Sequence, residues 1–433
     1  MTTRPGASPT GASRARRTGR ETLPDRVVDF LDSIDTPLTT YYLLASVTAA
    51  LTIVGLVMYL SASSIRSYDL FLRQLLFAGI GLVLCVVASR LPVRVWKRLA
   101  WPGILLSLAL QALIFVPGLG QEFQGNRNWI QVAGVQLQPS EFAKIAIVVF
   151  GAAILDRKKD RLGQFWHAVI PLGPAAVLLL GLQLAGNDLG TGLVLLAIVA
   201  GMLFAAGVSA RFFGFAALLG VAAVAVMTLT SRNRLGRIDA WIGDGCATNF
   251  DLCRQVVNGK YALAEGGWWG KGLGESAEKW GWLSESRNDF IFAIIGEELG
   301  LPGTLTVLLL LALLAYACYR LVFRSQDFFV RIASAGVLTW LVVQASINIG
   351  AVTGLLPVIG VPLPLISGGG TALISTLTAL GMLMAFAREE PGAREARSLR
   401  RSRPARDDRP GRGGGVGGCV GGVVAAQPAR PAG

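Results

Sequence analysis

Apolar runs of membrane-spanning length recur down this chain, and no other feature limits its fold so strongly. A helix needs about 20 residues to cross a hydrocarbon core about 30 Å thick. Ten stretches meet or approach that length: Tyr41–Ser61, Leu70–Ala88, Leu99–Val116, Phe142–Leu155, Trp166–Leu184, Gly190–Val208, Phe212–Leu229, Phe290–Val322, Val330–Leu355 and Thr371–Ala387. The expected fold is an all-α polytopic membrane protein with about ten transmembrane helices. Composition agrees. Hydrophobic residues make up 53% and charged residues 15%, against about 25% charge in a soluble domain. A soluble enzyme and a disordered chain are both excluded.

The loops between spans set an orientation. Arg90, Arg94, Lys97 and Arg98 follow the second span, and Arg157, Lys158, Lys159 and Arg161 the fourth. Arg211 follows the sixth, and Arg320, Arg324 and Arg331 surround the turn after the eighth. Cytoplasmic loops carry such an excess of cations. The alternation therefore places both termini in the cytoplasm, provided that the short fourth span crosses. The same rule accounts for the net charge of +13 without nucleic acid. Residues 1–36 are polar and basic, with Arg14, Arg16, Arg17 and Arg20, and no apolar leader core follows them. Residues 391–433 are rich in Arg, Gly and Pro. Both segments read as disordered cytoplasmic tails on a membrane domain of residues 37–390.

The chemistry gathers on the opposite face. One loop there, about residues 231–288 between spans seven and eight, is far longer than the rest. Trp241, Trp268, Trp269, Trp280 and Trp282 require packing there or a place in an interfacial aromatic belt. Cys246 and Cys253 lie seven positions apart, in a compartment that permits a disulfide. Glycines 266, 267, 270, 272 and 274 allow tight turns beside a ligand. Asp289 precedes an apolar run that would make a helix about 50 Å long, so that helix projects beyond the membrane or bends near Gly300–Pro302. Ionisable groups near spans are functional candidates. They are Glu141, Lys144, Asp188, Asp289, Glu297 and Glu298, with mutual pairing of Glu141 and Lys144, three apart, as the structural alternative. The segment Leu355–Ala372, uncharged and rich in Pro and Gly, is expected to dip into the bilayer edge and offer backbone amides to a ligand.

Several segments together resemble the SEDS family of peptidoglycan polymerases. They are RNWI with QPSEFAK, NDLG at Asn187–Gly190, RLGRIDAW at Arg234–Trp241, NDFIFAIIGEELG, and NIGAVTGLLPVIGVPLPLISGGGT beginning at Asn348. The last is closer to the FtsW branch of division than to the RodA branch of elongation. The resemblance implies ten helices with a large extracytoplasmic loop between spans seven and eight. It implies a peptidoglycan glycosyltransferase of the cytoplasmic membrane at the division septum, with lipid II as substrate. Its partners would be a class B penicillin-binding protein transpeptidase, other division proteins and membrane lipids, and no nucleic acid. The family's catalytic acid falls on Asp289, and its cavity Glu and Lys fall on Glu141 and Lys144. Asn128, Asn187 and Gly368 depart from the family's frequent Arg, Pro and Tyr.

Joining an α-linked donor in β-1,4 linkage inverts the anomeric centre. One displacement needs a base on the acceptor hydroxyl, not a second nucleophilic carboxylate. Pyrophosphate leaves readily when cations receive its charge. Asp289 is the expected general base. Arg127, Lys144, Arg234, Arg237 and Lys279 are candidates to hold pyrophosphate, and Glu141, Asp188, Ser367 and Gly369 complete the expected substrate site. A divalent cation, Mg or Mn, suits this chemistry, but no ligand cluster marks a metal site. The rival readings are a lipid II flippase, a non-catalytic division scaffold and a RodA-like elongation polymerase. A face of small residues, Ser346, Gly350, Ala351 and Gly354, is expected to receive the partner's helix.

Overall fold

A computed structural model of the chain describes residues 38–63, 68–123, 126–132, 134–161, 172–208, 232–242 and 250–390, with a few isolated positions between 170 and 228. Both tails and nearly all of the expected seventh span, Phe212–Leu229, lie outside the described residues.

Among the described residues six helices are long and apolar enough to cross a membrane: α1 (Thr39–Ser63), α2 (Tyr68–Ala88), α3 (Val93–Ala112, extended by a 3-10 turn to Phe115), α9 (Ile291–Arg324), α10 (Phe328–Thr353) and α11 (Gly370–Ala387). Helices α5 (Leu172–Ala185) and α6 (Leu189–Ala205) are apolar and shorter. The protein is a polytopic membrane protein. Helix α4 (Pro139–Arg157) is buried from Pro139 almost without interruption to Leu155. It packs against α3, α6, α10 and α11, which explains why the shortest expected span tolerates Glu141 and Lys144. Two further helices, α7 (Arg232–Ile242) and α8 (Phe250–Gly266), belong to the long loop.

The all-α expectation needs one correction. The loop before α4 is a three-stranded antiparallel sheet of β1 (Gly120–Phe123), β2 (Asn126–Val132) and β3 (Val135–Leu137). Its register pairs Ile130 with Leu137 and Val132 with Val135. Gly134, at φ 80°, makes the turn between β2 and β3 that only a residue tolerant of the left-handed region takes easily.

Helix α9 bends where Gly300 takes φ 64° and ψ −157°. Pro302 has no N–H for the Glu298 carbonyl, and the Leu301 N–H turns away to Gly267 O at 3.2 Å. Two carbonyls are thereby left without helical donors. Lys271 N and Gly272 N supply them, bonding Glu297 O at 2.9 Å and Glu298 O at 3.0 Å. The contact is backbone on backbone. A Cβ at Gly270 would stand 2.3 Å from Glu298 O, and one at Gly266 1.9 Å from Gly296 O. The glycines expected near a ligand therefore brace this kink. Beyond it, Leu301–Arg324 retains 24 residues, about 36 Å of helix, enough to cross the membrane alone.

The opposite end of the bundle is tied by polar contacts. Arg388 donates to Tyr41 Oη at 2.7 Å and Ser89 O at 3.1 Å. Lys97 bridges Asp156 and Asp327. Trp268, Trp269, Trp280 and Trp282 stand exposed instead of packing within their loop. Gly350 is not open to a partner, because its Cβ position is 2.8 Å from Leu356 Cδ1. Gly354 closes α10 in the left-handed conformation, at φ 79°.

Candidate active site

The turn that carries Asp289 is built by Glu285. Glu285 adopts φ 56°, rare for a residue with a Cβ. Its carbonyl accepts from Asn288 N at 3.0 Å and Phe290 N at 3.2 Å, and its carboxylate accepts from Asn288 Nδ2 at 2.6 Å. Three consecutive carbonyls, those of Arg287, Asn288 and Asp289, are then clasped from outside the turn. Gly368 N donates to Arg287 O at 2.9 Å, Ser367 Oγ to Asn288 O at 2.7 Å, and Asn348 Nδ2 to Asp289 O at 2.8 Å. Three bonds fix the backbone that aims Asp289.

The side chain of Asp289 enters a narrow cleft lined by Phe290, Ile347, Asn348, Ala351 and Val358–Val361. Gly360, at φ 74°, lies alongside, its Cβ position 3.7 Å from Asp289 Oδ2. The lining is apolar side chains, backbone and the Asn348 amide, and Asp289 itself is half-buried. Burial pushes the Asp289 carboxyl up to about 7, Glu285 adds to the rise, and Arg237 opposes it. An acid so placed is half ionised near neutral pH, the condition for a general base. Arg237, on α7, donates to Val358 O at 3.1 Å, which holds the cation and the cleft wall together.

The other expected site residues fall in three places. Lys144 pairs with Glu141 at 2.7 Å, donates to Gln344 Oε1 at 3.0 Å and lies 4.8 Å from the Trp340 ring centre. Glu141 also accepts from Ser375 Oγ at 3.0 Å. The pair is buried and mutually neutralised. Asp188 caps α6, accepting from Thr191 N at 3.0 Å and Thr191 Oγ1 at 2.8 Å, and receives Asn128 Nδ2 at 3.3 Å. Arg127, on β2, meets that turn through its N–H to Gly186 O at 2.9 Å. Lys279 lies in the brace of the kink, where it meets Glu298 at 3.1 Å, Gly274 O and Ser61. Ser367 accepts from Leu363 N at 2.7 Å while donating to Asn288. Gly369 is extended, at φ 172°, just before α11. Arg234 is on α7, with its side chain outside the described residues. Cys253 is disulfide-bonded, whereas Cys246 lies outside the described residues.

The structure thus brings Asp289, Arg237 and Ser367 to one segment, residues 358–368, against which the Asp188 turn also packs through Gly190, whose Cβ position is 2.7 Å from Ile359 O, while Lys279 pairs with Glu298 at the kink. Sequence reasoning missed Glu285, Gln344 and Asn348. Their signals were present: a carboxylate four residues before Asp289, and two amides four apart in an apolar span. Two departures from the family pattern have local explanations. A Cβ at Gly368 would stand 2.3 Å from Tyr59 Cε2, so Tyr59 occupies the space a side chain there would need. Asn187 sits at φ 64°, which a proline ring forbids. No group of three or more His, Cys, Asp or Glu side chains that could hold a metal is assembled among the described residues.

A multi-pass helical bundle that clasps the aspartate-bearing turn before one of its long helices defines the class: a polytopic membrane protein. The pattern of the cell cycle proteins FtsW, RodA and SpoVE matches residues 41–391, and the chain belongs to that family. It is 40% identical over 364 residues to the probable peptidoglycan glycosyltransferase FtsW of Mycobacterium tuberculosis, covering 82% of this chain and 69% of that one. It is 34% identical over 358 residues to the stage V sporulation protein E of Bacillus subtilis, covering 80% and 96%. Two solved structures are similar at 27% identity. One comes from a peptidoglycan synthase complex that coordinates polymerization and crosslinking, with TM-score 0.66 and coverage of 80% of this chain and 97% of that one. The other is the rod shape determining protein RodA of Thermus thermophilus, with TM-score 0.61 and coverage of 80% and 96%.

Proposed function

We propose that the chain is a peptidoglycan glycosyltransferase that polymerises lipid II into β-1,4 glycan during septal wall synthesis, with Asp289 as general base. The observation that carries this reading is the Asp289 carboxylate, half-buried in a mostly apolar cleft and fixed through its backbone. The acceptor hydroxyl attacks the donor's anomeric carbon while its proton passes to Asp289. The bond to the lipid pyrophosphate breaks with its electron pair, which leaves on the phosphate oxygen and inverts the centre. Arg237, beside the cleft, is the cation best placed to receive that charge. Lys144 and Lys279 are held by Glu141 and Glu298, so they support the fold more than they bind pyrophosphate.

In this reading both termini face the cytoplasm, and the loop with α7 and α8 faces outward in the inner membrane. A class B penicillin-binding protein is the partner, crosslinking strands where they emerge. A flippase would need polar groups free to meet cargo at the midplane. The intramembrane Glu141–Lys144 pair is instead closed on itself, which favours the polymerase. The test is polymerisation of lipid II by the purified full-length chain, alone and with its partner, followed by gel analysis of glycan. Wild type should give glycan strands. Asp289→Asn should give none while inserting and melting normally. Strands from Asp289→Asn at near wild-type rate remove the base role.

A further inference from the structure

Asn348 is 2% exposed and lies in an apolar stretch of α10. Its amide gives one hydrogen bond to Asp289 O and another to Val361 O, each at 2.8 Å. Two carbonyl acceptors fix the orientation of the amide, since only the nitrogen can serve both. Oδ1 is then buried without a partner among the described residues. A buried amide held in this state is costly. One turn earlier, Gln344 also reaches this segment, with its oxygen satisfied. Its Nε2 donates to Pro362 O at 2.8 Å, while its Oε1 receives Trp340 Nε1 at 2.6 Å and Lys144 Nζ at 3.0 Å.

Val361 and Pro362 are consecutive residues of the segment that also supplies Ser367 and Gly368 to the Asp289 turn. Side chains four apart on a helix project from one face, so Gln344 and Asn348 grip that segment at adjacent carbonyls. The polar path runs from Glu141 and Lys144 through Gln344 to Pro362, then by Val361 and Asn348 to the backbone of Asp289.

We infer that Asn348 is a positioning residue for the Asp289 carboxylate, and that Gln344 anchors the same seat to the intramembrane Glu141–Lys144 pair. Neither residue touches the reacting atoms. Asn348 sets where the carboxylate points by holding its carbonyl and the cleft wall to one helix. Glu141 and Lys144 then act on the reaction through the seat and not by touching substrate. This inference rests on Asp289 being the base.

The experiment uses the full-length chain with its partner and measures steady-state polymerisation of lipid II. Asn348→Leu keeps the branched shape of the side chain and removes both donors. Its kcat should fall roughly 100-fold, the scale of a misplacement of about 1 Å, with KM changed by less than about twofold because no substrate contact is lost. Ser367→Ala removes a separate bond to the same turn and should lower kcat in the same manner. Combining the two should cost little more than Asn348→Leu alone, since residues acting as a unit are not additive. Gln344→Leu should lower kcat less. A cooperatively melting Asn348→Leu with kcat within about threefold of wild type overturns the inference, as does a rise in KM at constant kcat. If Asn348→Leu does not fold, Ser367→Ala decides: reduced kcat at unchanged KM supports the seat, and unchanged kcat overturns it. Asp289→Asn is assayed alongside. Survival of activity there defeats the base reading itself, whereas loss there with full activity in Asn348→Leu defeats only the positioning role.

Discussion

The environment of Asp289 predicts a pH–rate profile with an unusual acid limb. Burial raises its carboxyl from 3.8 to about 7, a bias of about 4 kcal/mol toward the protonated form. A general base acts as the carboxylate, so lowering pH through the raised value removes the active form. At pH 6 only roughly one tenth of the protein would carry ionised Asp289, and at pH 8 roughly nine tenths. Polymerisation should therefore rise about ninefold between those pH values and then level. An ordinary aspartate would give a flat profile there. The charged neighbours supply an internal control. Glu285 raises the Asp289 value and Arg237 lowers it. Glu285→Gln should shift the acid limb to lower pH, and Arg237→Gln should shift it to higher pH. The assay is the initial rate of lipid II consumption at saturating substrate, in one buffer system at constant ionic strength, with melting followed at each pH. A flat wild-type profile from pH 5.5 to 8, or a limb that moves the same way in both variants, refutes the reasoning.

Three further outcomes are expected. Gly270→Ala places a Cβ 2.3 Å from Glu298 O at φ +75°; left-handed backbone and overpacking together should destabilise by about 2–5 kcal/mol, read as a lower melting temperature in detergent, whereas Gly274→Ala, with open space around it, should lose only the backbone part. Cys253 should be found linked to Cys246 when an unreduced digest of protein alkylated before lysis is analysed by mass spectrometry; two alkylated thiols exclude that pairing. A shortened chain of residues 35–390 should keep its rate of polymerisation in vitro, because the Arg-, Gly- and Pro-rich tails cannot pack into a site; a well-folded truncation without activity assigns the tails a part in the chemistry.

Much of the bundle was legible because hydrophobicity is local. Runs of about 20 apolar residues announce themselves, and α1, α2, α10 and α11 lie within a few residues of the expected spans. Asp289 was legible from its place before an apolar run and from the motif around it. What surrounds Asp289 was not. Its clasp joins Arg287–Asp289 to Asn348 and to Ser367–Gly368, partners about 60 and 80 positions away, and such contacts leave no periodic trace. The same holds for the glycines of the long loop. Their freedom was readable, but whether it served a ligand or a backbone depended on the carbonyls that Pro302 leaves open. The small sheet was missed because its strands are only three to seven residues long, too short to stand out beside membrane spans.

The fit of Tyr59 against Gly368 also constrains how this chain can change. With the ring in place, any side chain at 368 collides with it and with Asn288 Oδ1, 2.6 Å from the Cβ position. Asn288 is the neighbour of Asp289, so a collision there disturbs the turn that carries the acid. The two positions are therefore epistatic, and exchange between them is constrained in either direction. A lineage moving from a bulky residue at 368 to this arrangement must open that site before Tyr59 can fill it. A reversal must first shrink residue 59. Each route passes through an intermediate with both positions small and a void beside Asn288, so a swap of both residues at once should be tolerated better than either large residue added alone.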